Sequence, residues 1–314
     1  MNKFKKLGLT ALAGSLVAST AYAGEMSVAG SASIGIKNNS GTDGGKSITM
    51  GNQLTFSGGG ELDNGLNVAL SFVLDHTDNV ASGFDSHSIT VSSDTLGSIV
   101  VAGDGTGNAQ SALDTTAAGD AWDNGFTHGA AATAYVAMGG STASNNKSVN
   151  YTFPSVMDDL ALSASYSGST TGIASTTAWA ATYTGIEGLS VSYGSGENGT
   201  VGSEADLTTM KASYAMGSFT AAYSNTENDT SAGTDEEMTS FKISYTVTDD
   251  LSVSYGEESH ETSGESVDEE FEAISVSYTT GGMTLTAAQY DASGLANTAG
   301  NTAERWKLGA SFAF

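Results

Sequence analysis

The chain lacks cysteine, has a single proline and is poor in basic residues. Without cysteine, no disulfide can stabilise the fold. One proline and 40 glycines in 314 residues suit many uninterrupted strands joined by tight turns. The 10 lysines and arginines are outnumbered by 35 aspartates and glutamates. This balance argues against nucleic acid as a partner, because the phosphates would be repelled.

Long apolar runs are also missing after the N-terminus, and a transmembrane helix needs about 20 apolar residues. The first residues have the pattern of a secretory signal peptide: Lys3, Lys5 and Lys6, then an apolar stretch over 7–18, then Ala-Tyr-Ala at 21–23. We predict cleavage after residue 23. The remaining chain, 24–314, would carry seven basic against 35 acidic residues, a net charge of −28.

A turn signal recurs along this mature chain, followed each time by an alternating apolar segment. Seven short turns rich in Asp, Asn and Gly lie at 62–66, 94–98, 157–160, 185–189, 216–218, 248–251 and 280–283. Eight longer polar loops lie at about 38–46, 76–86, 105–146, 169–175, 198–204, 227–237, 260–268 and 293–302. These fifteen connections predict sixteen strands.

The strands have one apolar face and one small, polar face. After the first short turn, Leu66, Val68, Leu70 and Phe72 alternate with less apolar residues. Short turns at one end and longer loops at the other are typical of membrane barrels, whose apolar face looks outward. Aromatic residues gather just before the short turns, where an interfacial girdle would lie: Tyr151, Phe153, Tyr183, Tyr214, Tyr245 and Tyr278. We therefore predict an all-β protein, a 16-stranded antiparallel transmembrane β-barrel.

The third long loop, about 105–146, interrupts this rhythm and shows neither a two-residue nor a 3.6-residue apolar period. Loops of this length are uncommon in compact domains and usually carry function. We expect it to fold inward at the mouth of the barrel and to narrow it. Trp122 is expected to pack this loop against the wall.

The whole mature chain resembles the general-diffusion porins of Gram-negative outer membranes, particularly the alphaproteobacterial type. The resemblance rests on the sixteen-strand layout, the long third loop, the turn Leu62-Asp63-Asn64-Gly65-Leu66 and the terminal Phe314. It implies passive diffusion of small hydrophilic solutes and ions through a homotrimer of water-filled pores, and no enzymatic activity. It also implies that Phe314 ends the signal by which the outer-membrane assembly machinery recognises the chain.

In that family, acidic residues of the third loop constrict the pore and face basic residues on the opposite wall. The corresponding acidic residues here are Asp104, Asp114, Asp120 and Asp123. Strand alternation directs five bases into the lumen: Lys37, Lys211, Lys242, Arg305 and Lys307. The chain departs from the family pattern because it has one arginine and no basic cluster on its early strands. We expect carboxylates to dominate and cations to be preferred.

Carboxylates are also dense in the predicted sixth and seventh loops. They are Glu227, Asp229, Asp235, Glu236, Glu237, Glu257, Glu258, Glu261, Glu265, Asp268, Glu269, Glu270 and Glu272. One hypothesis is that they bind Ca²⁺ or Mg²⁺ and bridge to lipopolysaccharide phosphates. The other is a solvated acidic rim, favoured because no ordered ligand spacing is present. No other cofactor is expected.

Two sequence motifs are discounted. Residues 194–199 match G-x-G-x-x-G, but no helix follows, so we interpret them as a glycine-rich loop. His260-Glu261 opens like a zinc-protease motif, yet position 264 is glycine. We assign His76, His87, His128 and His260 to solvated loops. Two alternatives to a channel remain: a structural or adhesive barrel with a plugged lumen, and a soluble secreted β-protein.

Overall fold

The computed structural model describes residues 25–39, 45–75, 86–104, 108–113, 116–128, 148–169, 172, 174–201, 203–231 and 234–314. The predicted signal peptide, 1–23, lies outside these residues. The sixteen strands are β1 (Glu25–Asn39), β2 (Gly45–Glu61), β3 (Asn67–Asp75), β4 (Ser86–Ser93), β5 (Gly97–Asp104), β6 (Ser148–Thr152), β7 (Leu160–Ser167), β8 (Thr176–Ile186), β9 (Leu189–Thr200), β10 (Ser203–Met216), β11 (Phe219–Thr230), β12 (Glu236–Thr246), β13 (Leu251–Thr262), β14 (Glu269–Thr280), β15 (Met283–Ser293) and β16 (Ala303–Ala313). Two 3-10 turns, Ser111–Leu113 and Leu295–Asn297, are the helical elements of this described part. Neither is long enough to cross a membrane.

Each strand pairs antiparallel with its sequence neighbours, and β1 pairs with β16 to close the barrel. At this seam, Gly30 and Phe314 exchange two backbone hydrogen bonds, of 2.7 Å and 2.9 Å. The space beside Gly30 is filled by the Phe314 ring, which would collide with any side chain at position 30. The predicted 16-stranded antiparallel barrel is confirmed, and each predicted connection lies between the expected strands.

The connections alternate between two rims. At the short-turn rim, residues 217–218 and 281–282 suffice to reverse the chain. Gly188 lies in one such turn at φ 78, a left-handed conformation that glycine adopts without strain. At the long-loop rim, strands run further than predicted. β9 ends at Thr200 and β10 begins at Ser203, so the loop predicted at 198–204 is mostly strand.

The two faces of the wall differ as the alternation predicts. Large apolar side chains on the outward face are exposed in the isolated chain, for example Ile34 at 51% and Leu308 at 52%. The predicted aromatic residues lie on this face near the short-turn rim, where the Tyr245 ring packs 4.6 Å from that of Phe219. Exposed apolar surface of this extent is costly in water and favourable in lipid, while a closed sheet satisfies its own backbone hydrogen bonds.

The placement of the carboxylates corrects a prediction. Of the thirteen assigned to the sixth and seventh loops, ten lie on β11–β14, and only Asp235, Glu265 and Asp268 lie in connections. Several face each other in register on the outward face: Glu227 with Glu237, Glu237 with Glu261, Glu257 with Glu272, Glu272 with Asp291 and Asp291 with Glu304. No three such side chains among the described residues converge into a metal-binding group.

Candidate functional site

The third loop, 105–147 between β5 and β6, runs along the polar inner face of the wall in its described part. Five hydrogen bonds fix it to five different strands: Ala109 N to Ser165 Oγ (2.9 Å), Gln110 Nε2 to Thr209 Oγ1 (2.6 Å), Ala117 N to Ser224 Oγ (2.9 Å), Ala118 N to Ser240 Oγ (2.7 Å) and Trp122 N to Glu258 Oε2 (2.9 Å). The partners lie on β7, β10, β11, β12 and β13. The described part of the loop therefore lies along the inner face of β7–β13 and faces β2–β6 across the lumen.

Two wall glycines create the space that the loop occupies. A Cβ at Gly256 would lie 2.7 Å from the Ala118 Cβ, and one at Gly194 would lie 2.7 Å from Leu113 Cδ1. Any side chain at these positions would push the loop away from the wall. Gly194 belongs to the G-x-G-x-x-G match, so the interpretation of that match as a loop is wrong. Its three glycines lie within β9, and two of them, Gly194 and Gly196, allow the third loop to approach closely.

The far end of the loop's described part, residues 121–128, is held by an apolar cluster, which we call the shared cluster. Its buried members are Ala121, Phe126, Met238, Phe271, Ala292 and Leu295. The Phe126 and Phe271 rings have centroids 5.7 Å apart. Trp122 is partly buried against this cluster, in the position expected of a residue that packs the loop onto the wall.

Three buried polar groups surround the same end. Glu258 and Glu269 are each 1% exposed, and His260 beside them on β13 is also 1% exposed. His128 lies within the loop, with its Nδ1 3.0 Å from Glu269 Oε2. The expectation of solvated loop histidines is therefore wrong for His128 and His260. The alternation around His260 placed it equally well on a strand, but its neighbouring glutamates made the segment look like a loop.

The four acidic residues predicted to constrict the pore do not all lie in the described part of the third loop. Asp120 and Asp123 lie in the loop with exposed side chains. Asp120 adopts φ 54 and accepts a 2.8 Å hydrogen bond from Thr116 Oγ1, whose oxygen accepts the Asp120 N–H at 2.9 Å. Asp104 ends β5, and Asp114 lies outside the described residues. Two of the four predicted carboxylates therefore face the open side of the loop.

The predicted bases occupy inward positions, four of them on β10, β12 and β16 and the fifth, Lys37, on β1 at the seam with β16. Lys307 Nζ donates to Asn124 Oδ1 of the loop at 3.0 Å, and Lys37 is its direct cross-strand neighbour. Arg305 is only 7% exposed, and its guanidinium carbon lies 5.4 Å from the Phe126 ring centroid.

Lys242 and Lys211 are half-buried on β12 and β10. The Lys242 ammonium lies 3.9 Å from where a Cβ at Gly119 would be, so it too sits beside the loop.

Across the lumen, the described strands β2–β6 carry no lysine or arginine at an inward position. Inward positions of β2–β6 hold mainly serine, threonine and glycine, and the one lysine in these strands, Lys46, lies on the outward face near the Trp306 ring. Glu61 and Asp75 are the charged residues at inward positions of β2 and β3. The arrangement therefore lacks the facing acidic and basic walls that the resemblance implied.

Comparisons with known proteins agree on one architecture. A family model described as Gram-negative porin matches residues 8–270. An anion-selective porin from Comamonas acidovorans is similar in structure, with a TM-score of 0.70, 15% identity, and coverage of 93% of this chain and 100% of that one. OmpT of Vibrio cholerae in its trimer form has a TM-score of 0.69 and 14% identity, and the match covers 93% of this chain and 100% of that one. OmpF of Salmonella typhi in complex with daunomycin has a TM-score of 0.70 and 12% identity, with coverage of 93% of this chain and 98% of that one. No curated protein matches the chain.

Proposed function

The chain belongs to the family of Gram-negative porins, and from this premise we propose that its pore prefers cations to anions. As a porin it forms a water-filled channel in the outer membrane, through which small hydrophilic solutes and ions diffuse passively. Diffusion needs no chemical step at the wall. Selectivity then depends on which charges face the water at the narrowest level.

One observation carries this proposal: Asp120 and Asp123 of the third loop are exposed, while the inward bases lie on β10, β12, β16 and β1 and not on the strands that face the loop. Arg305 is buried beneath Phe126 and meets little water. The facing strands supply no lysine or arginine to balance the aspartates. Within the part of the chain that the structure describes, a passing cation therefore meets two carboxylates at the loop and no ammonium on β2–β6 across the lumen.

Charge at the long-loop rim acts in the same direction. The outward carboxylates in register on β11–β16 give this rim a negative potential. Such a potential raises the local concentration of cations at the mouth, and the effect weakens as salt screens it. The porin fold alone does not determine whether cations or anions are preferred, because one structural neighbour of this chain is anion-selective.

Reversal potentials in planar bilayers test the proposal. With a KCl gradient across a bilayer holding the purified, detergent-extracted protein, the zero-current potential should have the sign of potassium permeation. Its magnitude should fall as both salt concentrations are raised at a constant ratio. A potential of chloride sign would reject cation preference. Absence of steady open steps would instead favour the alternative, a structural barrel with a plugged lumen.

We also propose that three copies assemble, as in the trimer form of OmpT. The apolar outward face of β1–β5, with Val101 48% exposed, offers surface for either lipid or a second copy. Denaturing electrophoresis of the unheated protein should give a trimer band that heating converts to monomer, and prior cross-linking in detergent should preserve the trimer band after heating. Lipopolysaccharide and the assembly machinery are the further proposed partners, the latter through Phe314.

A further inference from the structure

The loop joining β15 and β16, residues 294–302, reaches into the barrel and contacts the third loop. Its Leu295 is 4% exposed and belongs to the shared cluster, together with Ala121 and Phe126 of the third loop. Phe271 of β14 lies between the two loops in this cluster. The apolar contact therefore joins an outer loop, the wall and the third loop.

A single carboxylate makes a second, polar link between the same two loops. Glu269 Oε2 lies 3.0 Å from His128 Nδ1 of the third loop. Its other oxygen, Oε1, accepts a 2.6 Å hydrogen bond from the backbone N–H of Ala296 in the 294–302 loop. With 1% exposure, Glu269 can retain its hydrogen-bond energy only through such partners, because water does not reach it.

The 294–302 loop is held in one conformation. Ala296 and Asn297 have φ of 56 and 52, left-handed values that are unfavourable for alanine and better tolerated by asparagine. Two side chains hold the backbone there: Asn301 Nδ2 donates to Leu295 O at 2.7 Å, and Asn297 Nδ2 donates to Val267 O at 3.0 Å. These two hydrogen bonds stabilise the backbone of the 294–302 loop, which in turn supports the part of the third loop that it contacts.

We propose that Glu269 is a positioning residue that, with Leu295, couples the 294–302 loop to the far end of the third loop and so sets the bore of the pore. The inference rests on the proposed channel function and on the expectation that the third loop, which includes residues 116–128, narrows the pore. Long loops of outer-membrane barrels lie on the outside of the cell. The width of the constriction is then determined in part from the cell surface.

Burial separates this role from ion selectivity. Glu269 does not face the lumen water, whereas Asp120 and Asp123 do. Loss of the Glu269 contacts should therefore loosen the third loop and change the size and steadiness of the current. The ratio of cation to anion permeability should follow Asp120 and Asp123 instead. Failure of cation preference would leave the positioning role intact, and the reverse also holds.

Single-channel recording of three variants tests the role. Glu269→Ala should give a several-fold rise in open-channel current noise and an altered conductance. Glu269→Gln should restore wild-type noise, because its amide can accept from Ala296 N–H and donate to His128 Nδ1. Glu270→Ala is the matched control: Glu270 is the next residue, carries the same charge, is exposed and bonds Ser259 on the outward face. Glu270→Ala should leave the current unchanged.

A second pair keeps the proposal falsifiable if Glu269→Ala does not fold, which heat-modifiable electrophoretic migration will show. Leu295→Ala removes the apolar link and should also raise the noise, although residue 295 lies in an outer loop. Leu285→Ala on the same hairpin, at a site 41% exposed on the outward face, should not. The coupling is overturned if Leu295→Ala and folded Glu269→Ala both give wild-type currents. It is also overturned if the current through Glu269→Gln, or that through Glu270→Ala, is as noisy as the current through Glu269→Ala.

Discussion

Neutralising Asp120 and Asp123 is the perturbation that tests most directly how this pore selects ions. The double variant Asp120→Asn and Asp123→Asn keeps side-chain size and much of the hydrogen bonding. An asparagine at position 120 can still accept from Thr116 Oγ1, which holds the carboxylate at 2.8 Å. Asparagine also tolerates the left-handed φ of 54 at this position. The third loop should therefore keep its path while losing two charges.

The size of the effect follows from Coulomb's law. An ion in water passing roughly 8 Å from a carboxylate gains or loses about 0.5 kcal/mol. Because a cation gains what an anion loses, each aspartate alters the permeability ratio by roughly fivefold without salt screening. At 0.1 M salt the Debye length of about 10 Å reduces this to roughly twofold per aspartate, and at 1 M the effect is nearly absent.

The assay is the reversal potential in a KCl gradient, repeated at low and high mean salt. The double variant should show a permeability ratio roughly fourfold lower than wild type near 0.1 M and an equal one near 1 M. Asp94→Asn removes one carboxylate in the exposed turn between β4 and β5, at the short-turn rim and outside the third loop, and should leave the ratio unchanged. An unaltered ratio in the double variant at low salt would refute the assignment of selectivity to the loop aspartates.

The remaining predictions concern the seat of the loop, the seam and the rim. Gly256→Ala places a methyl group 2.7 Å from Ala118 Cβ and should push the third loop toward the pore axis, lowering single-channel conductance, whereas Gly60→Ala, in open space, should not. Deleting Phe314 removes two backbone hydrogen bonds to Gly30, which should lower the free energy of unfolding by about 1–3 kcal/mol. The thermal unfolding temperature in detergent should therefore fall, and an unchanged unfolding temperature would contradict this. Because the outward carboxylates do not converge into a metal-binding group among the described residues, chelation should leave that melting temperature unchanged, and a fall would restore the divalent-cation hypothesis.

The barrel could be predicted from the sequence because its determinants are local. A two-residue apolar period identifies each strand, and residues such as Gly65 and Gly188, both at positive φ, mark the turns. Antiparallel neighbours joined by short turns then leave little choice of topology. Where the outward face becomes polar, as at Glu227 and Glu237, both faces look alike and the period disappears. The strands continue there nonetheless, because backbone pairing does not require apolar side chains.

The candidate site was less predictable because its contacts span long stretches of chain. The Ala118 N–H donates a hydrogen bond to Ser240, which is 122 residues away in the sequence, and no local sequence pattern predicts that contact. Strand alternation placed Lys307 on the inner wall but did not show that the loop would lie over the same half of the barrel. The glycine at position 256 offered a usable signal, since a small residue within a strand often marks close approach of another segment.

The seam between β1 and β16 also bears on how this chain is made. Its register joins Ser31 to Ala313, so the first strand finds its second neighbour only when the last residues have been synthesised and delivered. Until that moment β1 presents an open edge along which a foreign strand could add. The edge of β1 therefore stays open for an interval set by the length of the polypeptide itself.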